Sequence, residues 1–375
     1  MPTRNREIDA CPGVLATHQA ADGAVARVRV PGGQLTAAAF ATISAGAAEL
    51  GDGTIELTSR ANLQVRGLSD GAALSTRLGD AGLLPSATHE RVRNILASPL
   101  TGRDGSTDVR PLVTTLDRTL CARPRLADLP GRFLFAIDDG RGDVAWLGAD
   151  VSALLTSEDS AAILLGGQDR GLRTPLDGVV DTMLACAEAF LTFRTTEWRV
   201  AELTNGPDRI AALACPEGHL QDVECPEGHL HGMGPGRVGQ ADGLVSLVAG
   251  APLGWLDRAQ AAALVDTAAP LVVTPWRGIV VADLTPARAD EMAGRLRETG
   301  LLLDPDAPLA RVTACTGRPG CAKALADVRA DAAPVPDTTL PVHWSGCARR
   351  CGRPRGRVVD VIATGNGYTT TVGDS

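Results

Sequence analysis

The sequence predicts an α+β protein in which a half-unit occurs twice and each copy is followed by a segment of a different kind. Three observations carry this. Residues 21–84 open Ala-Asp-Gly-Ala-Val-Ala-Arg-Val and close Arg-Leu-Gly-Asp-Ala-Gly-Leu-Leu, and residues 241–302 open Ala-Asp-Gly-Leu-Val-Ser-Leu-Val and close Arg-Leu-Arg-Glu-Thr-Gly-Leu-Leu. Strand-type and helix-type patterns follow in the same order in both copies. With 375 residues, 44% of them apolar, the chain is long enough for several domains and a sizeable core.

In each copy an alternating strand comes first, over 25–30 and 244–248, and a turn follows at Pro31-Gly32-Gly33 or Pro252-Leu253-Gly254. Ala-rich amphipathic stretches at 35–50 and 256–269 predict helices. β-rich runs at 54–68 and 271–284 come next, and a second helix ends each copy at Gly-Leu-Leu. One such copy buries little surface alone, so the two are expected to pack as a pseudo-symmetric pair. After the first copy, residues 132–137 predict a strand that turns at Asp138-Asp139-Gly140. The boundaries expected are 1–85, 86–205, a linker at 206–235, 236–303 and 304–375. The linker carries a tandem duplication, Cys215-Pro-Glu-Gly-His219 and Cys225-Pro-Glu-Gly-His229-Leu-His231. Cysteine and histidine there could bind a metal, but the Gly/Pro-rich composition favours a duplicated linker.

A formal net charge of −8 gives no global field for nucleic acid or an anionic membrane. The cations are arginines except Lys323. The N-terminal stretch has no apolar core of a secretory signal, and no apolar run reaches the roughly 18 residues of a membrane span. A cytoplasmic protein with reduced thiols is therefore expected, and nine cysteines fit metal ligation better than a disulfide framework.

Four of those cysteines lie near the C-terminus, in Cys315-Thr-Gly-Arg-Pro-Gly-Cys321 and Cys347-Ala-Arg-Arg-Cys351. Two short loops each supplying two thiolates are the usual ligand set of a [4Fe–4S] cluster, and zinc modules favour tighter spacing. Gly317, Pro319 and Gly320 let the first loop fold back. If Cys347 and Cys351 begin a helix, their sulfurs share one face. Cys11, Cys121 and Cys186 read as ordinary buried thiols.

The arrangement resembles the sulfite/nitrite reductase superfamily and, within it, the precorrin-3B synthases of aerobic cobalamin biosynthesis. The resemblance rests on Cys11-Pro12-Gly13, on the stretch from Glu56 through Arg60, Asn62, Gln64 and Arg66 to Gly67, on that from His89 through Arg93 to Pro99, and on Ser345-Gly-Cys347-Ala-Arg-Arg-Cys351-Gly-Arg353-Pro354. It implies two ferredoxin-like half-domains in pseudo-two-fold arrangement, alternating with two reductase-like α+β segments. The second of these segments would carry the cluster on Cys315, Cys321, Cys347 and Cys351.

A precorrin is fringed by carboxylates, which arginine grips with paired hydrogen bonds. Arg60, Asn62, Gln64 and Arg66 alternate with apolar residues, so on a strand they line one face. The resemblance makes that face substrate-binding and adds Arg93 and Arg132. At Leu129-Pro130-Gly131-Arg132-Phe133-Leu134 the reductases carry two lysines flanking the Phe, and here these are Arg132 and Leu134. Leucine neither stabilises an oxyanion nor donates a proton, which argues against sulfite reduction.

The reaction implied is oxygen-dependent hydroxylation of precorrin-3A, with lactone formation, to precorrin-3B. Electrons come from NADH through a separate reductase, since no Gly-rich dinucleotide fingerprint follows a strand. The family implies a mononuclear non-haem iron as well, with His89 and His343 as candidate ligands and no facial triad to be picked out. Cys351 matches the cysteine that links cluster to sirohaem in the reductases; here the substrate is expected to occupy that place, and sirohaem is the lesser expectation. Arg349, Arg350, Arg353, Arg355 and Arg357 could offset cluster charge, contact substrate or lie in solvent. Two rival functions stand beside this one: a sirohaem nitrite or sulfite reductase, and a non-enzymatic iron–sulfur carrier or sensor.

Overall fold

The computed structural model describes residues 9, 11–214, 233–336 and 338–373. The chain divides into two compact units, one of Met1–Gly13, Arg29–Gly32 and Leu84–His229, the other of Val14–Val28, Gly33–Leu83 and Leu230–Ser375.

The first unit is a five-stranded sheet in the order Gln168–Pro175, Ser160–Leu165, Val151–Leu155, Phe135–Asp138, Ile95–Ala97. The strands Ile95–Ala97, Phe135–Asp138 and Val151–Leu155 are parallel, and the other two join antiparallel. Helices Arg110–Ala122 and Val179–Phe193 supply most of the apolar cover, and Phe133 packs edge-on against Phe135 and tilted against Phe190, with ring centres 5.1 and 5.0 Å away. The strand expected at 132–137 begins later, at Phe135. A turn in which the Phe133 amide donates to the Pro130 carbonyl occupies the first positions.

The second unit contains both repeats and the cysteine segment. Each repeat forms a five-stranded sheet of one design. The first runs His18–Ala20, Gly23–Val28, Leu63–Leu68, Ile55–Leu57, Trp255–Leu256; the second runs Gly236–Gly239, Val245–Gly250, Gly278–Leu284, Leu271–Val273, Gln34–Leu35. The last strand of each sheet comes from the other copy: Trp255 pairs with Glu56, and Leu271 with Leu35. The half-domains therefore complete one another, as an edge strand left bare would expose unpaired amides and carbonyls. Even the bulges repeat, between Ala24 and Ala26 and between Val245 and Leu247.

Helices Ala37–Leu50 and Gly71–Asp80 cover the first sheet's strands, and Arg258–Asp266 and Pro286–Glu298 are their counterparts. Thr36, Asp70, Asp257 and Thr285 cap them by accepting from backbone amides, and Asp257 with Gln260 makes a reciprocal capping box. The two β-rich runs resolve into hairpins. In the first, Thr58 N–H donates to Asn62 O across a tight turn with Ala61 at φ 52°.

The cysteine segment is a four-stranded sheet, Val312–Ala314, Val342–Ser345 and Val358–Thr364 parallel, with Gly367–Gly373 antiparallel at the edge. No helix among the described residues is long and apolar enough to cross a membrane.

Candidate functional site

The four cysteines leave the carboxyl ends of two adjacent parallel strands, where open α/β sheets place their ligands. Cys315 follows Ala314, and Cys347 follows Ser345 and Gly346. Leu325 N–H to Gly346 O at 2.8 Å and Cys315 N–H to Trp344 O at 2.9 Å stitch the two loops together, and Cys321 N–H to Gly317 O at 2.8 Å closes the first loop on itself. Gly317 sits at φ 67°, and a Cβ there would meet Val328 N at 3.0 Å, so only glycine allows this fold-back. Cys347 and Cys351 do not begin a helix. Two consecutive turns carry them, with Arg350 at φ 48°, and the loop rather than a helix face aims the sulfurs.

The Gly346 amide donates to Cys315 Sγ at 3.2 Å. Burial pushes the Cys315 thiol up, the Gly346 and Gly317 amides pull it down, and Cys321 and Cys347 add to the rise. Cys351 is exposed as a residue, yet burial again leads in raising its thiol, opposed by Arg349 and reinforced by the other three cysteines. The four sulfurs thus converge. Among the described residues only Asp138, Asp139 and Asp143 bring three ligand atoms within 4.8 Å of one another, so no three of the sulfurs are that close. Tetrahedral zinc, with Zn–S of about 2.3 Å, needs sulfurs about 3.8 Å apart, whereas a cubane spreads four thiolates over four irons.

Two buried donors beside the thiols lack partners, Ser345 Oγ and Arg277 Nη1. Ser345 is fully buried two residues before Cys347. Buried polar groups are rarely left unpaired, and a sulfide-rich anion would satisfy both. The donor set and its surroundings therefore fit an iron–sulfur cluster.

The predicted substrate residues fall in several settings. Arg60 and Asn62 belong to the turn, not to the strand, and only Gln64 and Arg66 stand on Leu63–Leu68. That strand is buried on both faces, so the single wet face expected from the alternation is absent. Gln64 accepts from Arg27 at 2.9 Å and donates to Glu56 at 2.6 Å. Arg66 grips Asp22 with two bonds of 2.9 Å and donates to Gly320 O at 3.1 Å, tying the first half-domain to the cysteine loop. In the other unit Arg93 is buried and pairs with Asp117 through two bonds of 2.7 Å, while Arg132 is exposed and lies 5.7 Å from the Trp198 ring. Leu134 is buried, with its amide on Asp150.

Neither candidate histidine has a ring nitrogen to offer iron. His89 Nδ1 bonds Ser86 and Thr88, and Nε2 meets Arg123 O at 3.0 Å. His343 Nδ1 meets Thr313 Oγ1 at 2.9 Å and Nε2 meets Cys351 O at 3.1 Å. Burial and then Arg277 push His343 down to about 3, so it stays neutral and braces the cysteine loop. Arg350 and Arg353 pair with buried Asp360 rather than facing a ligand. Cys186 is buried, Cys121 half-buried, and Cys11 donates to Gly131 O at 3.2 Å. The Cys215 and Cys225 duplication, with His219, His229 and His231, lies outside the described residues.

Sequence reading missed Arg277, Ser345 and the carboxylates Asp138, Asp139 and Asp143. The first was legible by setting Thr274-Pro-Trp-Arg277-Gly278 against Thr58-Ser-Arg-Ala61-Asn62. Asp138 and Asp139 sit at the strand-end turn Asp138-Asp139-Gly140, read only as a turn, and Asp143 follows three residues later.

Paired half-domains followed by the four-thiol sheet edge give this chain a sulfite/nitrite reductase-like fold. Residues 18–74 match the nitrite/sulfite reductase ferredoxin-like half domain. The solved structure of Mycobacterium tuberculosis NirA protein aligns with a TM-score of 0.76 over 93% of this chain and 73% of its own, at 22% identity. A precorrin-3B synthase of Sinorhizobium sp is 29% identical, covering 97% of this chain and 82% of that protein. The ferredoxin–nitrite reductase of Synechococcus elongatus is 27% identical over 88% of this chain and 74% of its own. The resemblance drawn from the motifs to precorrin-3B synthase within the sulfite/nitrite reductase superfamily holds.

Proposed function

We propose that this chain is an oxygen-dependent monooxygenase of cobalamin biosynthesis, converting precorrin-3A to precorrin-3B. One oxygen atom of O2 enters the macrocycle as a hydroxyl, an acetate side chain closes a lactone, and NADH with a proton supplies the reducing equivalents that take the second oxygen to water. The observation that carries the proposal is likeness over nearly the whole chain to a precorrin-3B synthase, joined to the four-thiol centre with its unpaired buried donors.

Cys315, Cys321, Cys347 and Cys351 would hold a [4Fe–4S] cluster, which supplies one-electron relay when bound. The Gly346 amide donates to Cys315 Sγ, and the unpaired Ser345 Oγ would have a donor left for the group those thiols would hold. Arg60, Asn62, Gln64, Arg66, Arg93 and Arg132 are the residues proposed to bind precorrin carboxylates. Arg66 and Arg93 already hold Asp22 and Asp117, so they would act by exchanging those partners. Arg132 is exposed beside Trp198. A mononuclear iron would need ligands other than His89 and His343. The electron donor is proposed to be a separate NADH reductase, and the compartment the cytoplasm.

A sirohaem reductase is the second reading, favoured by the similarity to named nitrite and sulfite reductases. Anaerobic purification, followed by EPR with iron, sulfide and tetrapyrrole assays on one sample, separates the two. A cluster without sirohaem, and formation of precorrin-3B from precorrin-3A under O2, is the outcome expected. Stoichiometric sirohaem with reduction of nitrite or sulfite would replace the first reading by the second.

A further inference from the structure

We infer that Arg277 is the counter-charge of the four-cysteine centre and sets the reduction potential of the cluster held there. The inference rests on reading the cysteines as cluster ligands. Arg277 occupies the hairpin turn between Leu271–Val273 and Gly278–Leu284. In that turn Thr274 N–H donates to Gly278 O at 2.9 Å, Arg277 N–H to Thr274 O at 3.3 Å, and Gly278 N–H to Thr274 Oγ1 at 3.1 Å. The first half-domain repeats the pattern from Thr58, Ala61 and Asn62 at 3.0, 3.1 and 3.1 Å. Arg277 at φ 61° thus stands where the other copy has Ala61 at φ 52°. The duplication has put a long cation where its counterpart carries a methyl group.

The surroundings are shaped for that side chain. A Cβ on Gly254 would lie 2.5 Å from Arg277 Cδ, and one on Gly352 would lie 2.5 Å from Nη2. Both glycines have left-handed backbones, at φ 83° and 79°. The guanidinium passes between them and donates from Nη2 to the carbonyl of Gly352, the residue after Cys351, at 2.5 Å. Nη1 is buried without a partner. Burial holds the group below the usual arginine range, while Glu56 and then Cys315 pull it back toward charge. A buried cation is costly without compensation; Glu56 supplies part of it, and the cluster with its thiolates would supply the rest.

The sign follows directly. A thiolate-ligated [4Fe–4S] cluster gains one negative charge when it takes up one electron, so a nearby fixed cation favours the reduced form. Removing the cation must lower the potential.

The test is an EPR-monitored redox titration, with mediators and dithionite as the one-electron reductant, on full-length protein with iron and sulfide assayed in each sample. Arg277→Gln is expected to lower the reduced-to-oxidised ratio at a fixed potential tenfold or more, which for one electron is a shift of about 59 mV. Arg277→Lys keeps the charge and is expected to return most of that shift. An unchanged potential in cluster-loaded Arg277→Gln overturns the inference. Should Arg277→Gln fail to fold, Gly254→Ala displaces the arginine stem with the charge retained in the chain; it is expected to shift the potential in the same direction by less, and no shift overturns the inference. Absence of iron and sulfide from the unmutated protein would instead sink the cluster reading itself.

Discussion

The chain contains two sheets built to one plan, three parallel strands with antiparallel strands at one edge, and their carboxyl ends differ in one respect. In the Leu84–His229 unit the ends of Ile95–Ala97 and Phe135–Asp138 carry Ser98, Asp138, Asp139 and Asp143. Asp138 accepts amides from Gly140, Gly142, Val144 and Ala145 at 2.8–3.0 Å, Asp139 is held by Arg141, and Ser98 donates to Asp143 at 2.6 Å. In the cysteine sheet the equivalent ends carry thiols and an unpaired hydroxyl, and Arg277 of the second half-domain brings an unpaired guanidinium nitrogen beside them. The carboxylate cluster satisfies itself with protein groups. The thiol cluster does not, and that deficit, more than the ligand types, marks the binding site.

Breaking the comparison from the thiol side should have the largest effect. Cys321→Ser should lower bound iron and sulfide from about four each per chain to near zero, whereas Asp139→Asn should leave both unchanged in the same assay. A carboxylate variant that lost iron would mean that the second sheet end also holds metal. Next in size, Asp138→Ala strips four amides of their acceptor and should cost about 3 kcal/mol or more in chemical denaturation of that unit; a cost under about 1 kcal/mol would show water replacing the carboxylate.

The carboxylate end should also respond to pH. Burial and then the Asp138 carboxylate push Asp143 up to about 7. The folded chain therefore keeps a proton that the unfolded chain releases near pH 4, and the stability this provides is complete below that value and lost as pH rises through 7. Stability should rise by on the order of 2 kcal/mol from pH 8 to pH 5, and Asp143→Asn should flatten the profile; a profile as steep in the variant would assign the dependence elsewhere. The smallest effect belongs to Ser345→Ala. With no protein acceptor to lose, it should change stability of the cluster-free chain by less than about 1 kcal/mol while altering the EPR signal of the loaded protein. An unaltered signal would detach the hydroxyl from the centre.

The repeat, the helices and the four cysteines were legible because each is a periodic or short-range signal. The helix expected at 35–50 lies at Ala37–Leu50, and the run at 271–284 holds Leu271–Val273 and Gly278–Leu284. What could not be read depends on which groups meet. The exchanged strands Gln34–Leu35 and Trp255–Leu256 are two residues long, too short for any alternation. Arg66 looked available because its partners Asp22 and Gly320 lie 44 and 254 positions away. His343 looked like a ligand because of its nearness to the cysteines, yet both its nitrogens brace the protein around them.

The mutual loan of Gln34–Leu35 and Trp255–Leu256 has a consequence for inheritance. Each repeat finishes the other's sheet, so neither copy can be deleted, swapped or shortened without baring a hydrogen-bonding edge in its twin. The two copies are free to diverge in their turns, as Ala61 and Arg277 have done, but they remain bound to one joint architecture. Duplication here produced a single indivisible unit of selection, with one hairpin holding a buried cation, Arg277, at the position where the other holds Ala61.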